Sequence, residues 1–226
     1  MTRTTAAPVP KSHHAHDVDI EDTFDFVNTD DLENGFPVDR ISTLDDALSW
    51  FVERGVIHGE GADRLGHASE TDPAAAHRDL ARIHAVRGAL REVSEALVEH
   101  RPPHAGALDT VNRALHARQV IELVPSSDGC VAVDHRHVGD PVDDALARLC
   151  DPLVTELTGG DPDRIRICAN DRCLWVFYDT SRTGRRRWCD MATCGNRAKA
   201  ARHRARSKAN DPAESVGAEA SPTLNA

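Results

Sequence analysis

Cys168, Cys173, Cys189 and Cys194 form two C-x4-C pairs with 15 residues between them, inside the most arginine-rich stretch of the chain. Thiolates at that spacing suit one tetrahedral metal ion, because each pair closes a short knuckle and the segment between supplies a hairpin that brings the pairs together. The expected cofactor is Zn2+, one per chain. Its role is structural, since four thiolates leave no coordination position for water or substrate. An iron–sulfur cluster uses the same donors, but zinc matches this spacing better.

The charge map sets this stretch apart. Between Arg164 and Lys208 there are 13 Lys and Arg against Asp171, Asp179 and Asp190, whereas the remainder of the chain holds 14 basic and 34 acidic residues. The overall net charge of −10 therefore conceals a module of +10 beside a body of −20. A basic metal module points to a phosphate-bearing partner, and an acidic body discourages indiscriminate adhesion to polyanions.

Elements that would position the cysteines can be read around them. Ile165-Arg166-Ile167-Cys168 reads as a strand entering the first knuckle, and Cys173 to Tyr178 as a second strand leaving it. Ser181-Arg182-Thr183-Gly184 gives a turn, and Arg185-Arg186-Arg187-Trp188 leads to the second pair. From Asn196 to Lys208 no Gly or Pro interrupts an alanine-rich basic segment, so a helix is expected with the last cysteine at its start. Hairpin knuckle followed by a ligand at a helix N-terminus is a treble-clef-like arrangement. On that helix Lys199, Arg202 and Arg206 share one face and Arg197, Arg204 and Lys208 another, with Ala198, Ala201 and Ala205 between them, an apolar strip expected to lie on the hairpin. Trp175, Phe177 and Trp188 are expected to form the small core of the module.

Upstream, the composition supports a mainly α (α+β) protein. Hydrophobic residues make up 40 % of the 226, but aromatics only 4 %, so the core must be built from Leu, Val, Ile and Ala. The run around Phe24, Phe26 and Val27 opens a helix or strand that stops at a loop from Asp30 to Pro37. Ser42 or Thr43 caps a helix with Leu44, Ala47, Leu48 and Phe51 buried, ended by Gly55. Asp72-Pro73 starts a long helix with Leu80, Ile83, Val86, Leu90, Val93 and Leu97 inward. A further helix spans about 106–116 with Leu108, Val111 and Leu115 inward. Val120 to Val124 and Cys130 to Val133 form a small hairpin around Asp128-Gly129. Asp140-Pro141 opens a helix that Pro152 should kink or split. Cys130 and Cys150 read as small core residues. The division is a disordered tail 1–19, a helical domain 20–160, the zinc module 161–209 and a disordered tail 210–226. His13, His14 and His16 fall in the first tail and are assigned no role.

Several classes are disfavoured. No apolar run reaches the roughly 18 residues of a membrane span, and the first residues lack an apolar signal core, so a soluble cytoplasmic protein without membrane partners is expected. In that compartment the cysteines stay reduced and available for metal. No phosphate-binding glycine loop, dinucleotide turn, H-E-x-x-H helix or G-x-S-x-G elbow is present, so the chain is not expected to be an enzyme.

The residues then carry a family resemblance. Cys168-x4-Cys173, Trp175-Val-Phe-Tyr-Asp179-x-Ser181, Arg185-Arg-Arg187-Trp188-Cys189-x-Met191 and Cys194-Gly195-Asn196-Arg197-Ala-Lys199 resemble the CGNR zinc fingers of bacterial proteins. Phe26-Val27-Asn28-Thr29, Ala47-Leu48-x-Trp50 and the helix from Arg87 to Leu97 look like the ABATE domain that usually precedes that finger, a family described as stress-induced transcription regulators. The resemblance implies the four-cysteine ligand set and a DNA-binding regulator whose N-terminal domain senses a signal or mediates assembly. Arg185, Arg186, Arg187, Arg197, Lys199, Arg202 and Arg206 are the candidate nucleic-acid contacts. Asn196 and Trp188 are expected to support the metal loop, and Arg197 could do that or face nucleic acid. One finger offers little base-reading surface, which favours a homodimer. The same module would also serve an RNA-binding or ribosome-associated protein. A pocket near Asn28 and Arg87 is the candidate site for a small-molecule effector or, in a third reading, for a substrate.

Overall fold

The computed structural model describes residues 18–33, 35–57, 66, 72–116, 119–125, 129–137 and 140–209. The two expected tails lie outside these residues except for Val18 and Asp19, and so do His13, His14 and His16. Asp19 belongs to the fold: its carboxylate accepts from the amides of Glu21 (2.9 Å) and Asp22 (3.0 Å), and Asp22 returns the bond to the Asp19 amide. This reciprocal cap starts helix α1, Ile20–Val27, which buries Thr23, Phe24, Phe26 and Val27.

Where a loop was expected, Asp30–Glu33 (β1) pairs antiparallel with Phe36–Asp39 (β2), turning at Gly35 with φ +89°. Pro37 lacks the N–H a ladder uses, which had argued for a loop, but a two-stranded ribbon leaves each strand an edge where that loss is tolerated. Helix α2, Leu44–Glu53, is capped by Thr43 with Asp46 bonding back, and Gly55 (φ +67°) follows its end. Trp50 and Phe51 meet Phe26 at ring separations of 5.7 and 6.1 Å, so much of the small aromatic complement is concentrated where α1 meets α2.

The spine of the body is α3, Pro73–Val98, with Asp72 capping Ala74 and Ala75 and Pro73 in the first turn. Ile83, Val86, Leu90 and Val93 are buried along it, as their three- and four-residue spacing requires. Helix α4, Ala105–Leu115, buries Val111 but leaves Leu108 41 % exposed, a departure from the inward stripe expected there. Strands β3, Gln119–Pro125, and β4, Val131–His137, form the anticipated hairpin. Cys130 at its turn is exposed rather than a core residue, while Cys150 is buried.

Helix α5, Pro141–Gly159, runs unbroken through Pro152. A proline in a helix interior costs about 3 kcal/mol, but α5 buries Leu146, Leu149 and Leu153 on the same stretch, each contributing about 1.5–3 kcal/mol. Packing outweighs the breaker, and the expected split does not occur.

After a 3-10 turn, Pro162–Arg164, strands β5, Ile165–Ile167, and β6, Val176–Tyr178, pair antiparallel. Their Ile165 (2 % exposed) and Val176 (1 %) join the same hydrophobic core as Phe24, Leu90 and Leu149. Gly159 to Pro162 thus mark a turn in the chain and not a break in the core. A single π-helical turn, Met191–Gly195, leads into the last helix, α6, Asn196–Ala209. The architecture is a mainly helical body with hairpins, closed at one side by a four-cysteine hairpin-and-helix module. None of the described helices is long and apolar enough to cross a membrane.

Candidate metal centre and its basic helix

β5 delivers Cys168 at its end, where the Cys168 amide donates to the Trp175 carbonyl (2.8 Å). The chain then reverses: the amides of Cys173 (2.9 Å) and Leu174 (3.2 Å) both donate to the Asn170 carbonyl, and Leu174 takes a left-handed backbone with φ +59°. A leucine in that conformation is strained by about 1–2 kcal/mol, which the knuckle holds in place by bonding. The second pair is brought in by a bond from the Ala169 amide to the Arg187 carbonyl (2.7 Å) and by the π-turn that carries Cys194.

The four Sγ atoms all lie within 4.8 Å of one another, with Cys173 to Cys189 at 3.7 Å and Cys189 to Cys194 at 3.8 Å. A zinc–sulfur bond of about 2.3 Å gives a tetrahedron whose sulfur–sulfur edge is about 3.8 Å. These two separations match that edge and none of the others exceeds 4.8 Å, so these residues fit zinc. Cys168 and Cys194 are buried, Cys173 and Cys189 half-buried. Asn170 Nδ2 donates to Cys194 Sγ at 3.3 Å, and a donor to sulfur favours the thiolate. The Cys173 and Cys189 thiols beside Cys168 draw its pKa far below the usual value, and the Cys168 sulfur in turn pushes Cys173 and Cys189 up. Sulfurs this close become thiolates together only around a cation. When bound, zinc supplies a cross-link between the hairpin and the start of α6.

Support for this cage comes from residues to which the sequence reading gave no role. Asp179 is fully buried, and its carboxylate accepts from the amides of Ser181 (2.9 Å) and Arg186 (2.7 Å). Although burial opposes its charge, hydrogen bonds from Ser181 and Arg186 hold its carboxyl below the usual carboxylate range. Arg164 bonds the carbonyls of Asp179 (2.7 Å) and Ser181 (2.8 Å), and Arg166 that of Gly184 (2.8 Å). These three side chains fold the 179–186 loop back onto the hairpin. The signal was present in the Asp-x-Ser spacing, which reads equally well as a solvent turn.

Basic residues expected to act alike are placed differently. Arg186 stacks on Phe177 with its guanidinium 5.0 Å from the ring centre and donates to the Cys189 carbonyl, so it is engaged in the cage. Arg187 lies 5.3 Å over Trp188, a half-buried ring packed against the sulfurs. Arg187 is nonetheless exposed, as are Arg185, Arg197, Lys199, Arg202 and Arg206. Asn196 Nδ2 donates to the Ala192 carbonyl (3.0 Å), which ties the helix start to the π-turn. Every residue from Ala201 to Ser207 is exposed, so Ala201 and Ala205 do not lie on the hairpin as expected. Helix α6 instead projects from the cage, and among the described residues none of Arg197, Lys199, Arg202, Arg204 and Arg206 has an acidic partner.

Asn28 and Arg87 are spent on protein partners. Asn28 Nδ2 donates to the Val176 carbonyl (2.8 Å) and its Oδ1 accepts from the Val176 amide (3.0 Å), docking the finger on α1. Asn28 also lines a cavity of about 200 Å³ between α1 and β6, with Glu21, Asp25 and Tyr178. Arg87, 5 % exposed, holds both carboxylate oxygens of Asp39 at 2.7 Å and bonds Thr29 Oγ1 at 3.1 Å. Nearby, Arg91 bonds the carbonyls of Val27 (3.1 Å), Asp30 (2.8 Å) and Leu174 (3.4 Å), bridging body and finger.

Two family models match the chain. One, described as CGNR zinc finger, covers residues 164–207. The other, ABATE, described as "Putative stress-induced transcription regulator", covers residues 23–160. No curated protein matches.

Proposed function

The chain belongs to the ABATE family and carries a CGNR zinc finger, and from that premise we propose that it is a DNA-binding transcription regulator, not an enzyme. In this reading one zinc ion per chain is held by Cys168, Cys173, Cys189 and Cys194 and does no chemistry on a substrate. Its work is to fix α6 at a defined angle to the hairpin. DNA affinity comes mainly from Arg185, Arg197, Lys199, Arg202 and Arg206, exposed candidates that stack on no ring of the cage, while Arg186 and Arg187, stacked on Phe177 and Trp188, shape the loop that precedes the second cysteine pair. The helical body is the regulatory part, sensing a signal or assembling two copies.

The observation that carries the reading is α6 itself: 14 residues with no acidic side chain, rooted at the last ligand, whose described cations have no acidic partner. A solvated structural helix normally interleaves opposite charges along its face. A helix of one sign is stabilised by an external polyanion. The shared core of body and finger supports regulation, because β5 and β6 cannot shift without disturbing the residues they pack against in α1 and α3.

The test uses zinc-loaded full-length protein incubated with fragmented genomic DNA, followed by sequencing of the retained fragments, with single-stranded DNA and structured RNA as competitors. Enrichment of a few duplex regions, resistant to both competitors, is the expected outcome. Retention of RNA in preference to duplex DNA would refute the reading.

A further inference from the structure

The arrangement of charge around α6 specifies more than affinity for phosphate. At about 100° per residue, Arg197 and Arg204 fall on one side of the helix, and Lys199, Arg202 and Arg206 fall about 180° away from them. Ala201 and Ala205 occupy the face between these rows and are exposed, while Ala200 and Ser207 occupy the opposite one. Lys199, Arg202 and Arg206 line one shallow concavity together with Ala205, which places that row beside the alanine face. A helix lying along a phosphate backbone needs one basic row. Two rows on opposite flanks, with methyl groups between them, fit a site that presents phosphate on both sides and an uncharged floor.

We propose that α6 lies in the major groove of B-form DNA, with Ala201 and Ala205 toward the base edges, Arg197 and Arg204 on the phosphates of one strand, and Lys199, Arg202 and Arg206 on those of the other. This rests on the DNA-binding reading above and specifies its geometry. The major groove is about 12 Å wide and accepts a helix of about 10–12 Å diameter. Alanine at the floor lets the helix axis approach the bases closely and can meet thymine methyl groups. The A-form groove of duplex RNA is too deep and narrow to admit it, so the same helix discriminates against RNA. Among the described residues no protein surface competes for this face, since the helix is exposed from Ala201 to Ser207. The like charges spaced three and four residues apart within the second row repel one another in the free protein. Docking neutralises them, so DNA also raises helicity at the end of α6.

The experiment measures binding of full-length zinc-loaded protein to a fluorescent random-sequence duplex from low to moderate salt. Three proteins are compared: unaltered, Arg197→Ala with Arg204→Ala, and Lys199→Ala with Arg202→Ala and Arg206→Ala. Zinc content and far-ultraviolet circular dichroism confirm that each is folded. Groove insertion requires both rows to count, so the slope of log K against log salt becomes shallower by about 2 in the double variant and about 3 in the triple, at about 0.9 per phosphate contact. If either row can be removed without changing the slope, the helix lies outside the groove and the inference fails while the regulator reading stands. Methylation of guanine N7, which projects into the major groove, is expected to block binding, whereas methylation of adenine N3 in the minor groove is not; the reverse pattern overturns the placement. Equal affinity for an RNA duplex also overturns it. Absence of binding to any duplex at low salt overturns both this inference and the regulator reading.

Discussion

Replacing Asn28 with leucine should cost this protein a large part of its stability, although leucine is close in size and the site is buried. Asn28 is 4 % exposed, and its side-chain amide satisfies both polar groups of the Val176 peptide, at 2.8 and 3.0 Å. Those groups point away from β5, because the bonds between the strands fall on alternate residues, as at Cys168 to Trp175 and Asp179 to Arg164. Asn28 therefore takes the place of a third strand. Val176 is 1 % exposed, so water cannot replace it. Each backbone group left unsatisfied costs about 1–3 kcal/mol. The pair gives a loss of about 2–6 kcal/mol, against a total stability of about 5–15 kcal/mol for a typical domain.

Urea unfolding of unaltered and Asn28→Leu protein, both zinc-loaded, measures the loss. Hydrogen exchange locates it: the amides of β6 should lose protection first, before those of α3. A loss under about 1 kcal/mol, the size of an ordinary net hydrogen bond, would refute the claim that Asn28 docks the finger. So would a loss of the expected size with exchange accelerated in α2 and not in β6.

Cys173→Ser should abolish stoichiometric zinc binding and unfold the 165–208 region, read by metal analysis and proteolysis; a variant that still holds one zinc per chain would refute the ligand set. Removing zinc with a chelator should expose Val176 and Ile165 as well as the cysteines, because the finger shares its core with the body, and dye binding to exposed apolar surface should increase. Asp39 is partly buried, which opposes its charge, but the bonds from Arg87 and the Ile41 amide hold its carboxyl below the usual range. Asp179 is also held low, so both carboxylates contribute stability that is fully present above the ordinary carboxylate pKa of about 3.9 and is lost as pH falls through their lower folded values. Unfolding free energy measured from about pH 5 to about pH 2 should fall less steeply in Asp39→Asn, and an unchanged slope would count against the Arg87 pair. Gly195→Ala should be nearly neutral for zinc content despite its place in the motif: the added carbon would meet Met191 Sδ at 2.7 Å, but Met191 is 46 % exposed and can swing away.

What could be read from the chain was local. Thr43 with Asp46, Asp72 with Pro73 and the Ile83 to Val93 stripe each declare a helix within a few residues, and the C-x4-C pairs declare a metal site by spacing alone. The β1–β2 ribbon was hidden because Pro37 and the acidic Asp30, Asp31 and Glu33 read as loop, and nothing nearby indicates that an isolated pair of strands tolerates both. Pro152 misled because its cost is local while the burial of Leu149 and Leu153 that offsets it is tertiary. Asn28 and Arg87 were singled out as important, but their partners lie 148 and 48 residues away. A sequence contains no sign of which distant peptide a buried amide will satisfy. For the same reason Arg186 and Arg202 read alike, though one is stacked on Phe177 and the other is exposed.

The opposed charges of body and finger work together only because α6 projects. Everything outside 164–208 holds 14 basic and 34 acidic residues, enough to repel DNA from most of the surface. A helix of 14 residues reaches about 21 Å from its root, whereas at physiological salt charges are screened over about 8 Å. The outer turns of α6 therefore lie beyond the range at which the acidic body could cancel them. Near the cage, Arg164, Arg166 and Arg186 are already committed to carbonyls of the loop. Lengthening the separation would gain nothing further, but shortening α6 by two turns would leave only Arg197, Lys199 and Arg202, the cations nearest the body, and would draw bound DNA into the body's field. Truncation after Arg202 should thus weaken DNA binding more at low salt than Arg204→Ala, Arg206→Ala and Lys208→Ala together, which remove the same three cations and keep the helix; an equal loss would refute this.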